Sequence, residues 1–389
     1  MTIEVVKDEL EYRNQLSVAI ERFKRQLPYK HAPYDSRSWG HKLHSLCSYQ
    51  GKLKPAIAHW LVQEFTQPGD LVIDPLCGVG TIPFEAALLG RRGIGNDLSP
   101  FASTIAQAKL SPPSEVEALA GLEKIEQAMS CVKLSGSDYT AAEFGLNASV
   151  RDYYHPDTLS EILQARKVFL SREFSDQPSM FVWASLLHVL HGNRPYALSR
   201  TSHPITPFSP KGPSEYKSVV EKTRARIRLA LAADLPSSFI AGQGIEGNYR
   251  DLKSRLPAGE AKAIITSPPF LGMRFDRPNW LRMWFCGWSA RDFHTTSLNF
   301  LERQQTKSLD PYISFFEVSH GLLQEGGLLI MHIGSSKNDR LVDGIRGLAG
   351  PQFELAGEVV EDVAALEQHG LTDKGRRTTA HHLLFFRRV

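Results

Sequence analysis

The stretch LVIDPLCGVGT, residues 71–81, decides the fold class of this chain. It begins with a short apolar run that ends at Asp74, as a buried parallel strand does. A turn containing Gly78 and Gly80 follows, and then a helical pattern that stops at Gly90. The stretch therefore predicts a strand, a tight turn and a helix.

A second strand is predicted directly after this helix. Residues 93–96 form a short apolar run that is closed by Asp97. Two strands joined by a helix form a βαβ unit, in which the strands pair in parallel with a right-handed crossover. We therefore expect an open α/β sheet. Further strands are predicted around residues 239–245, 263–265, 328–333 and 382–386.

The segment between the second and third predicted strands has a different character. It is mainly helical in pattern, carries five prolines between 195 and 213, and includes a basic helix near 215–233. A single sheet interrupted by an insert explains this order better than a string of domains. The expected organisation is an N-terminal arm and first half over 1–110, an insert over 111–238 and a second half over 239–389.

Composition excludes several classes of protein. The chain has 389 residues, of which 42% are hydrophobic, so wholesale disorder is excluded. No run approaches the roughly 18 apolar residues that a membrane helix needs. The amino terminus lacks an apolar signal core, which disfavours secretion. The four cysteines are too dispersed for a zinc ribbon or a disulfide scaffold, and they suit a reducing cytoplasm.

The net charge of +3 conceals an uneven distribution. Residues 13–54 carry nine Lys/Arg against two acids, and residues 194–228 carry eight against two. Residues 111–150 are acidic, with six acids against two lysines. Two basic segments in a near-neutral chain are typical of a surface that follows phosphates, although solvated basic helices give the same pattern.

The glycine turn and Asp97 together predict a ligand that carries a ribose. Glycines let the backbone approach such a ligand, and an acid at the end of the next strand accepts hydrogen bonds from ribose hydroxyls. The turn lacks the third glycine of the G-x-G-x-x-G pattern of NAD-binding folds. It also lacks the Gly-Lys-Ser/Thr of a P-loop.

The sequence DPLCGVGT, residues 74–81, resembles the D-P-F-x-G-x-G-T motif of amino-methyltransferases that use S-adenosylmethionine. The resemblance implies a Rossmann-like methyltransferase fold with a mostly parallel seven-stranded sheet. It also implies that the turn holds the methionine part of the cofactor and Asp97 the ribose. Leu76 stands where the family usually has phenylalanine.

A second motif points to the reaction. Residues 263–270, AIITSPPF, are an apolar strand that runs into Ser-Pro-Pro-Phe. This sequence resembles the [S/D/N]-P-P-[Y/F] motif of enzymes that methylate exocyclic amines of bases. Versions with serine resemble the cytosine-N4 group, and versions with aspartate the adenine-N6 group. As an alternative, two prolines after a strand can simply terminate it.

The chemistry of an exocyclic amine fits this motif. The amine lone pair is delocalised into the base, so two acceptors aimed at its hydrogens, the Ser267 oxygen and the Pro268 carbonyl, favour the nucleophilic form. Proline lacks an N–H, so the turn presents acceptors. Phe270 can stack on a base that has been flipped out of a duplex. A C5-cytosine methyltransferase would need a cysteine nucleophile, typically after proline, and no cysteine here follows a proline.

Two further segments are similar to the same family. Residues 49–55, YQGKLKP, resemble the Y-x-x-K-x-x-P segment that covers the methionine end of the cofactor. Residues 247–252, GNYRDL, are similar to G-D-x-x-D-L, with Asn248 in place of the acid that contacts the adenine amine. The resemblance covers about 41–110 and 240–389, and covers the insert poorly.

The expected site therefore has three groups of residues. The catalytic group is Ser267, Pro268, Pro269 and Phe270. The cofactor-binding group is Tyr49, Lys52, Asp74, Pro75, Cys77, Gly78, Gly80, Thr81, Asp97, Leu98 and Asn248. The nucleic-acid-binding group, in an insert that is the candidate target-recognition region, is Arg194, Arg200, Lys211, Lys217, Arg224 and Arg228. No metal is predicted, because His41, His44 and Cys47 share a helical spacing but lack an obvious fourth ligand.

The expected activity is the site-specific, S-adenosylmethionine-dependent methylation of cytosine N4 in double-stranded DNA, in the cytoplasm, with a possible cognate restriction endonuclease. Three alternatives stay open: methylation of adenine N6, methylation of an RNA amine, and a cofactor-sensing regulator without turnover. The intact Ser-Pro-Pro-Phe argues against the regulator. For the insert, a packing or oligomerisation role is the alternative to DNA binding. The sequence does not indicate an oligomeric state.

Overall fold

The computed structural model describes residues 3–36, 38–193, 195–336, 340–350, 352–363 and 378–389, with side chains from residue 11 onward. Its described residues form one seven-stranded sheet. The strands are β1 (Leu71–Asp74), β2 (Arg92–Asp97), β3 (Gln243–Glu246), β4 (Ala261–Thr266), β5 (Leu323–Ser335), β6 (Phe353–Asp362) and β7 (Ala380–Arg388).

The strand order across the sheet is β3-β2-β1-β4-β5-β7-β6. Neighbours from β3 to β5 pair in parallel, and β7 lies antiparallel between β5 and β6. The expected Rossmann-like methyltransferase fold, with its mostly parallel seven-stranded sheet, is confirmed. The order reverses direction between β1 and β4, and in open α/β sheets ligands bind beside such a reversal, at the carboxyl ends of the strands.

Fourteen α-helices are found in the described residues. They are α1 (Ile3–Gln26), α2 (Pro55–Phe65), α3 (Thr81–Leu88), α4 (Pro100–Leu110), α5 (Glu115–Cys131), α6 (Gly136–Ala141), α7 (Pro156–Ser171), α8 (Gln177–Val189), α9 (Val219–Ala230), α10 (Leu252–Arg255), α11 (Trp280–Phe285), α12 (Leu301–Gln304), α13 (Pro311–Leu322) and α14 (Leu341–Ala349). No helix in the described ranges combines the length and the apolar character needed to cross a membrane.

Two hydrophobic clusters cover the sheet. One joins residues of α1, α2 and α3 to β1, β4, β5 and β7. The other joins α10, α13 and α14 to residues of the same central strands. The central strands are therefore buried on both sides, which explains why β1, β4 and β5 are almost continuously apolar in sequence.

Helices α5 to α9 lie between α4 and β3 in the chain, and all of them except α6 contribute residues to a third cluster. This cluster also contains residues of α3, α4 and α11, so the helical segment shares a core with the sheet domain. The long helix-rich stretch therefore packs against helix α4 and does not form a separate domain. The boundaries at 110 and 238 stay a prediction.

Two details differ from the sequence pattern. The strand expected from Phe239 begins only at Gln243, because the preceding backbone bonds instead to Pro236, Ala87 and Leu110. Strand β6 was not located from sequence. It is an edge strand in which Phe353 and Val359 are the buried hydrophobic side chains, so its apolar signal is weak.

Candidate functional site

The glycine turn lies at the carboxyl end of β1, beside the reversal in strand order. Gly78 and Gly80 both have positive φ, at 52° and 72°, a conformation that favours glycine. A Cβ on Gly80 would lie 3.0 Å from Ala106 Cβ on α4, and a Cβ on Gly78 would lie 3.6 Å from the Tyr49 ring. Gly80 therefore permits close packing of the turn on α4, and Gly78 leaves open space under Tyr49.

Asp74 ties the glycine turn to the neighbouring strand. Its Oδ1 accepts hydrogen bonds from the Thr266 hydroxyl at 2.7 Å and from the Leu76 amide at 3.1 Å. Thr266 is the last residue of β4, so this bond fixes the two motif-bearing strand ends against each other. Burial raises the pKa of Asp74 to about 7.

Asp97 closes β2 and turns its carboxylate toward the glycine turn. It accepts hydrogen bonds from the backbone amides of Gly78 at 2.9 Å and Ser99 at 2.8 Å. Burial raises its pKa to about 6, although both amides oppose that change. A carboxylate has about four acceptor positions, so Asp97 keeps acceptor capacity for a ligand.

An aromatic pair lies over the turn. The rings of Tyr49 and Phe275 stack with centroids 5.7 Å apart and planes 13° apart. Lys52, three residues after Tyr49, donates to the His44 carbonyl at 2.6 Å. Tyr49 therefore lies beside Gly78 of the turn, and Phe275 is a ring partner of Tyr49 that sequence reasoning missed. That the segment 49–55 covers the methionine end of a cofactor stays a prediction.

These groups enclose a cavity that we call the glycine-turn cavity. Nine of the eleven residues expected to bind cofactor line it, whereas Pro75 and Gly80 lie beside it. The nine are Tyr49, Lys52, Asp74, Cys77, Gly78, Thr81, Asp97, Leu98 and Asn248. The Asn248 oxygen also accepts from the Arg250 amide at 3.1 Å, so its side chain shapes the turn as well as facing the cavity.

One wall of the glycine-turn cavity has no counterpart in the sequence motifs. Residues 299–302 line it, and they include Glu302 at the start of α12. Glu302 is 6% exposed and accepts from the Phe275 amide at 3.3 Å. Burial raises its pKa to about 7. No local pattern around Glu302 signals this position, because the wall is assembled from a distant segment.

A second cavity, the proline-motif cavity, lies on the other side of Ser-Pro-Pro-Phe. All four residues of the motif line it, together with His332, Met273 and Glu361. Ser267 and Pro269 also line the glycine-turn cavity. The two cavities therefore share Ser267 and Pro269 of the proline motif, together with Lys52 and Phe275, whereas Phe270 lines the proline-motif cavity.

The hydrogen bonds of the motif leave the Pro268 carbonyl available. Gln305 donates to the carbonyls of Pro269 at 2.8 Å and Phe270 at 3.4 Å. The Pro268 carbonyl accepts no hydrogen bond from the described residues. Ser267 Oγ lies 3.1 Å from His332 Nδ1 and 3.3 Å from the His332 carbonyl. Sequence reasoning missed Gln305 and His332, since each lies on an element far along the chain.

Comparison with known proteins finds similarity over the part of the chain that carries the glycine turn. A family model described as an RMKL-like methyltransferase domain matches residues 44–145, the part of the chain that carries the glycine turn. This part of the chain is therefore similar to an RMKL-like methyltransferase domain. The resemblance of the sequence to the S-adenosylmethionine-dependent DNA amino-methyltransferase family is thereby confirmed, and S-adenosylmethionine is the methyl donor of such a domain.

Two relatives named type II methyltransferases match over short stretches. M.MjaII of Methanocaldococcus jannaschii is 35% identical over 68 residues, which are 18% of this chain and 13% of that protein. M.BsoBI of Geobacillus stearothermophilus is 31% identical over 103 residues, which are 23% of this chain and 20% of that protein. The chain thus spans at most a fifth of the length of these relatives.

Among solved structures, the rRNA methyltransferase AviRa of Streptomyces viridochromogenes is similar in outline. The alignment covers 92% of this chain and 96% of AviRa, at 12% identity and a TM-score of 0.35. The fold follows from the strand order of the sheet and not from this similarity.

The chemistry of the glycine-turn cavity fits S-adenosylmethionine. The cofactor carries positive charge on its sulfonium and ammonium groups. Two buried carboxyl groups, Asp74 and Glu302, line the cavity together with the half-buried Asp97. The Asn96 side-chain oxygen is also buried there without a hydrogen-bond partner among the described residues. Acceptors and negative charge are what the ribose hydroxyls and the cationic groups require.

The basic residues expected to bind nucleic acid are partly engaged within the methyltransferase itself. Lys217 donates to the carbonyls of Ala197 and Ser199, and Arg200 to those of Gly212 and Asp152. Lys211 is exposed and forms no ion pair with the described residues. Arg194 lies outside the described residues.

The acidic and basic segments of the insert face each other. Arg224 pairs with Glu126 at 3.5 Å and Glu221 at 2.9 Å, and Arg228 pairs with Glu115 at 3.7 Å. Glu115 and Glu126 lie on α5, and both arginines lie on α9. Some of the charges that cancel in the net charge are therefore paired directly inside the insert.

The two basic segments of the chain meet in space. Arg226 on α9 donates to the carbonyls of Ser45 and Leu46, at 2.5 Å and 3.2 Å. His44 of the same segment bonds to Glu85 at 2.6 Å. Within the described residues, no group of three or more His, Cys, Asp or Glu side chains is arranged to hold a metal ion.

Proposed function

We propose that this methyltransferase transfers the methyl group of S-adenosylmethionine to the exocyclic N4 amine of a cytosine that has been flipped out of double-stranded DNA. One observation carries the proposal: Ser267 and Pro269 form a wall common to the glycine-turn cavity and the proline-motif cavity. A methyl donor on one side and a base amine on the other would meet at that wall.

The proline motif supplies acceptors for the two amine hydrogens. The Pro268 carbonyl is available, and the Ser267 hydroxyl oxygen lies in the same wall. Hydrogen bonding to both hydrogens draws the nitrogen toward a pyramidal form in which its lone pair is localised. Gln305 holds the two following carbonyls, so the turn is fixed before the base arrives.

S-adenosylmethionine, when bound, supplies an electrophilic methyl group on a sulfonium centre. Asp97 would hold the ribose hydroxyls and the glycine turn the methionine part. Asp74, bonded to Thr266, keeps that turn against the end of β4. The contribution of the protein is alignment of the two reactants, a source of rate enhancement that needs no covalent enzyme intermediate.

Phe270 provides a surface for the base. It lines the proline-motif cavity, and its ring packs against His332 and His381 with centroids 5.8 Å and 5.5 Å away. Gly334 lies under the ring, since a Cβ there would come within 2.4 Å of it. Stacking on such a supported ring offsets part of the few kcal/mol that flipping a base costs.

DNA as the substrate is supported by the names of the two relatives, type II methyltransferases, and by the basic segments that meet at α9. We place the enzyme in the cytoplasm, where its four free cysteines would remain reduced. A cognate restriction endonuclease is the partner that a type II enzyme would imply. The region 111–238 is the candidate for target recognition.

The decisive experiment identifies the product. The protein is incubated with methyl-labelled S-adenosylmethionine and with unmethylated DNA or RNA, and the nucleic acid is digested to nucleosides and separated. We expect label in N4-methylcytosine from DNA. Label in N6-methyladenine would support the adenine alternative instead, and label only in RNA nucleosides would overturn the DNA assignment.

A matched pair of variants tests the site itself. Ser267→Ala should lose transfer while keeping cofactor binding by calorimetry. Ser254→Ala, at an exposed serine of α10, should behave as wild type. Normal methylation by Ser267→Ala would contradict the catalytic assignment.

A further inference from the structure

A buried imidazole lies directly behind the proline motif. Thr266 and Met331 are paired across β4 and β5, so Ser267 and His332, which each come one residue later, lie side by side. His332 is 5% exposed. Both short contacts of Ser267 Oγ described above, to the ring Nδ1 and to the main-chain carbonyl, belong to this one residue.

We propose that His332 is a positioning residue for methyl transfer, which holds the Ser267 hydroxyl with its proton turned away from the base amine and supports the ring of Phe270. The inference rests on the proposed function, because it assigns a role in activating that amine. The argument has two steps, one for the hydroxyl and one for the ring.

The hydroxyl has one proton and two acceptor lone pairs. The His332 carbonyl is only an acceptor, and the ring Nδ1 is either an acceptor or a donor according to the tautomer. If Nδ1 accepts, the serine proton can go to either atom of His332. If Nδ1 donates, the serine proton goes to the carbonyl. In both cases the serine hydroxyl donates its hydrogen bond to an atom of His332. At least one lone pair of the Ser267 oxygen is then left to face the cavity.

The imidazole is unsuited to act as a base. Burial, reinforced by the neighbouring His381 and His382, lowers the pKa of His332 to about 3. The ring is therefore neutral at physiological pH and resists taking the proton that the amine releases. Its role is to orient the serine, and the released proton leaves by another route.

The same ring supports the stacking residue. Phe270 packs on His332 at a centroid distance of 5.8 Å, and on the backbone of Gly334 two residues further along β5. One buried side chain therefore touches both the group that receives the amine hydrogens and the group that would receive the face of the base.

Two substitutions separate these contacts. His332→Phe keeps a ring behind Phe270 but removes the nitrogen near Ser267. His332→Asn places a polar side-chain group near the position of Nδ1. We expect His332→Phe to lower kcat on DNA about tenfold or more, the effect of losing a well-placed hydrogen bond. The KM for DNA and the Kd for S-adenosylmethionine should stay within about twofold. His332→Asn should recover most of the lost kcat.

A double-mutant cycle distinguishes positioning from general damage. In a Ser267→Ala background, the change His332→Phe should have no further effect on kcat. Wild-type kcat in His332→Phe, or an equal loss in both backgrounds, would overturn the inference. A wild-type enzyme that methylates no exocyclic amine would instead overturn the proposed function.

A measurement on the unsubstituted residue covers the case in which His332→Phe does not fold. In protein labelled with ¹⁵N-histidine, the Nδ1 resonance of His332 should show a neutral, hydrogen-bonded nitrogen that shifts in Ser267→Ala. A resonance unchanged by Ser267→Ala would show that the two side chains do not interact, and would overturn the proposal.

Discussion

The two cavities at the edge of the sheet and the basic residues of the insert use their polar groups in opposite ways. At the cavities, Asp97 and Ser267 are oriented by neighbouring bonds and keep acceptor capacity toward open space. In the insert, Lys217 and Arg224 direct their charges into carbonyls and carboxylates of the protein. Both regions are rich in polar residues. Only at the two cavities do the hydrogen-bond acceptors that remain without a partner face a common cleft.

This contrast shows that a charge counted in the sequence is not always a charge offered to a ligand. The net +6 of residues 194–228 includes Arg224 and Arg228, which pair with acids of α5. Such surface pairs each contribute at most about 1 kcal/mol to stability. DNA phosphates can therefore compete for these arginines, at the cost of breaking the internal pairs.

The strongest test of the contrast is Ser267→Ala. Removing one preorganised polar group from a reaction site lowers kcat by roughly 10²- to 10³-fold, and we expect a loss of at least this size. Cofactor affinity should not change, because Asp97 and the glycine turn, and not Ser267, make the proposed contacts to the cofactor. Single-turnover methylation and calorimetry measure the two quantities. A parallel loss of cofactor binding would show that Ser267 belongs to the cofactor side.

The next largest effect is expected from Asp97→Asn. A hydrogen bond to a charged group contributes about 1.5–3 kcal/mol, so the Kd for S-adenosylmethionine should rise about 10- to 100-fold. Asp343→Asn, at an exposed residue of α14, is the control. Equal affinities of the two variants would contradict the assignment of Asp97 to the ribose.

Cofactor affinity should also depend on pH. The pKa of Asp97 is raised to about 6 and those of Asp74 and Glu302 to about 7, in each case mainly by burial. As pH falls through this range the carboxylates lose the charge that attracts a cationic ligand. Calorimetry from pH 8 to pH 5.5 should show weakening affinity, with proton release on binding near pH 6.5. Glu302→Gln should flatten the profile.

The same three carboxyl groups make the free energy of unfolding of the cofactor-free protein fall as pH rises, whereas they make cofactor affinity rise. The folded chain binds protons between about pH 4 and pH 7 that the unfolded chain does not, because each folded pKa is raised. Their contribution to stability is therefore fully present below about pH 4 and is lost as pH rises from there to about pH 7. Denaturant titrations of the Glu302→Gln variant should show a smaller loss than wild type over that range.

The smallest effects separate two lysines of the insert. Lys217→Met should lower the free energy of unfolding by about 1–3 kcal/mol, because it leaves two carbonyls without their donor. Lys211→Met should leave stability unchanged and reduce the log–log salt slope of DNA binding by about 0.9, the value for one phosphate contact. An unchanged slope would remove Lys211 from the DNA-binding surface.

The sequence predicts best what is local. The glycine turn, Asp97 and Ser-Pro-Pro-Phe each follow a short apolar strand, so their meeting at one sheet edge follows from parallel pairing alone. Of the nine expected cofactor-binding residues that line one cavity, all but Tyr49 and Lys52 lie at or soon after the end of a parallel strand. Pro75 and Gly80 belong to the same turn but face its packing side.

What the sequence did not predict comes from outside those motifs. His332, Gln305 and Glu302 reach the site from β5 and the α12 region, and no spacing near them marks their role. The engagement of Lys217 and Arg200 was equally hidden, since their partners are backbone carbonyls that depend on how the insert folds. Each of these positions is set by tertiary packing.

The short helix α12 and the residue that follows it connect the two cavities. Glu302 faces the glycine-turn cavity, and Gln305, three residues later, holds two carbonyls of the proline motif. A shift of this segment on cofactor binding would therefore change the affinity for DNA, and thermodynamic linkage requires DNA to change cofactor affinity by the same factor. The coupling free energy is given by the ratio of the Kd values for DNA with and without cofactor, and by the ratio of the Kd values for cofactor with and without DNA. Both ratios would be measured in wild type and in Gln305→Leu. Unchanged coupling in the variant would exclude α12 as its route.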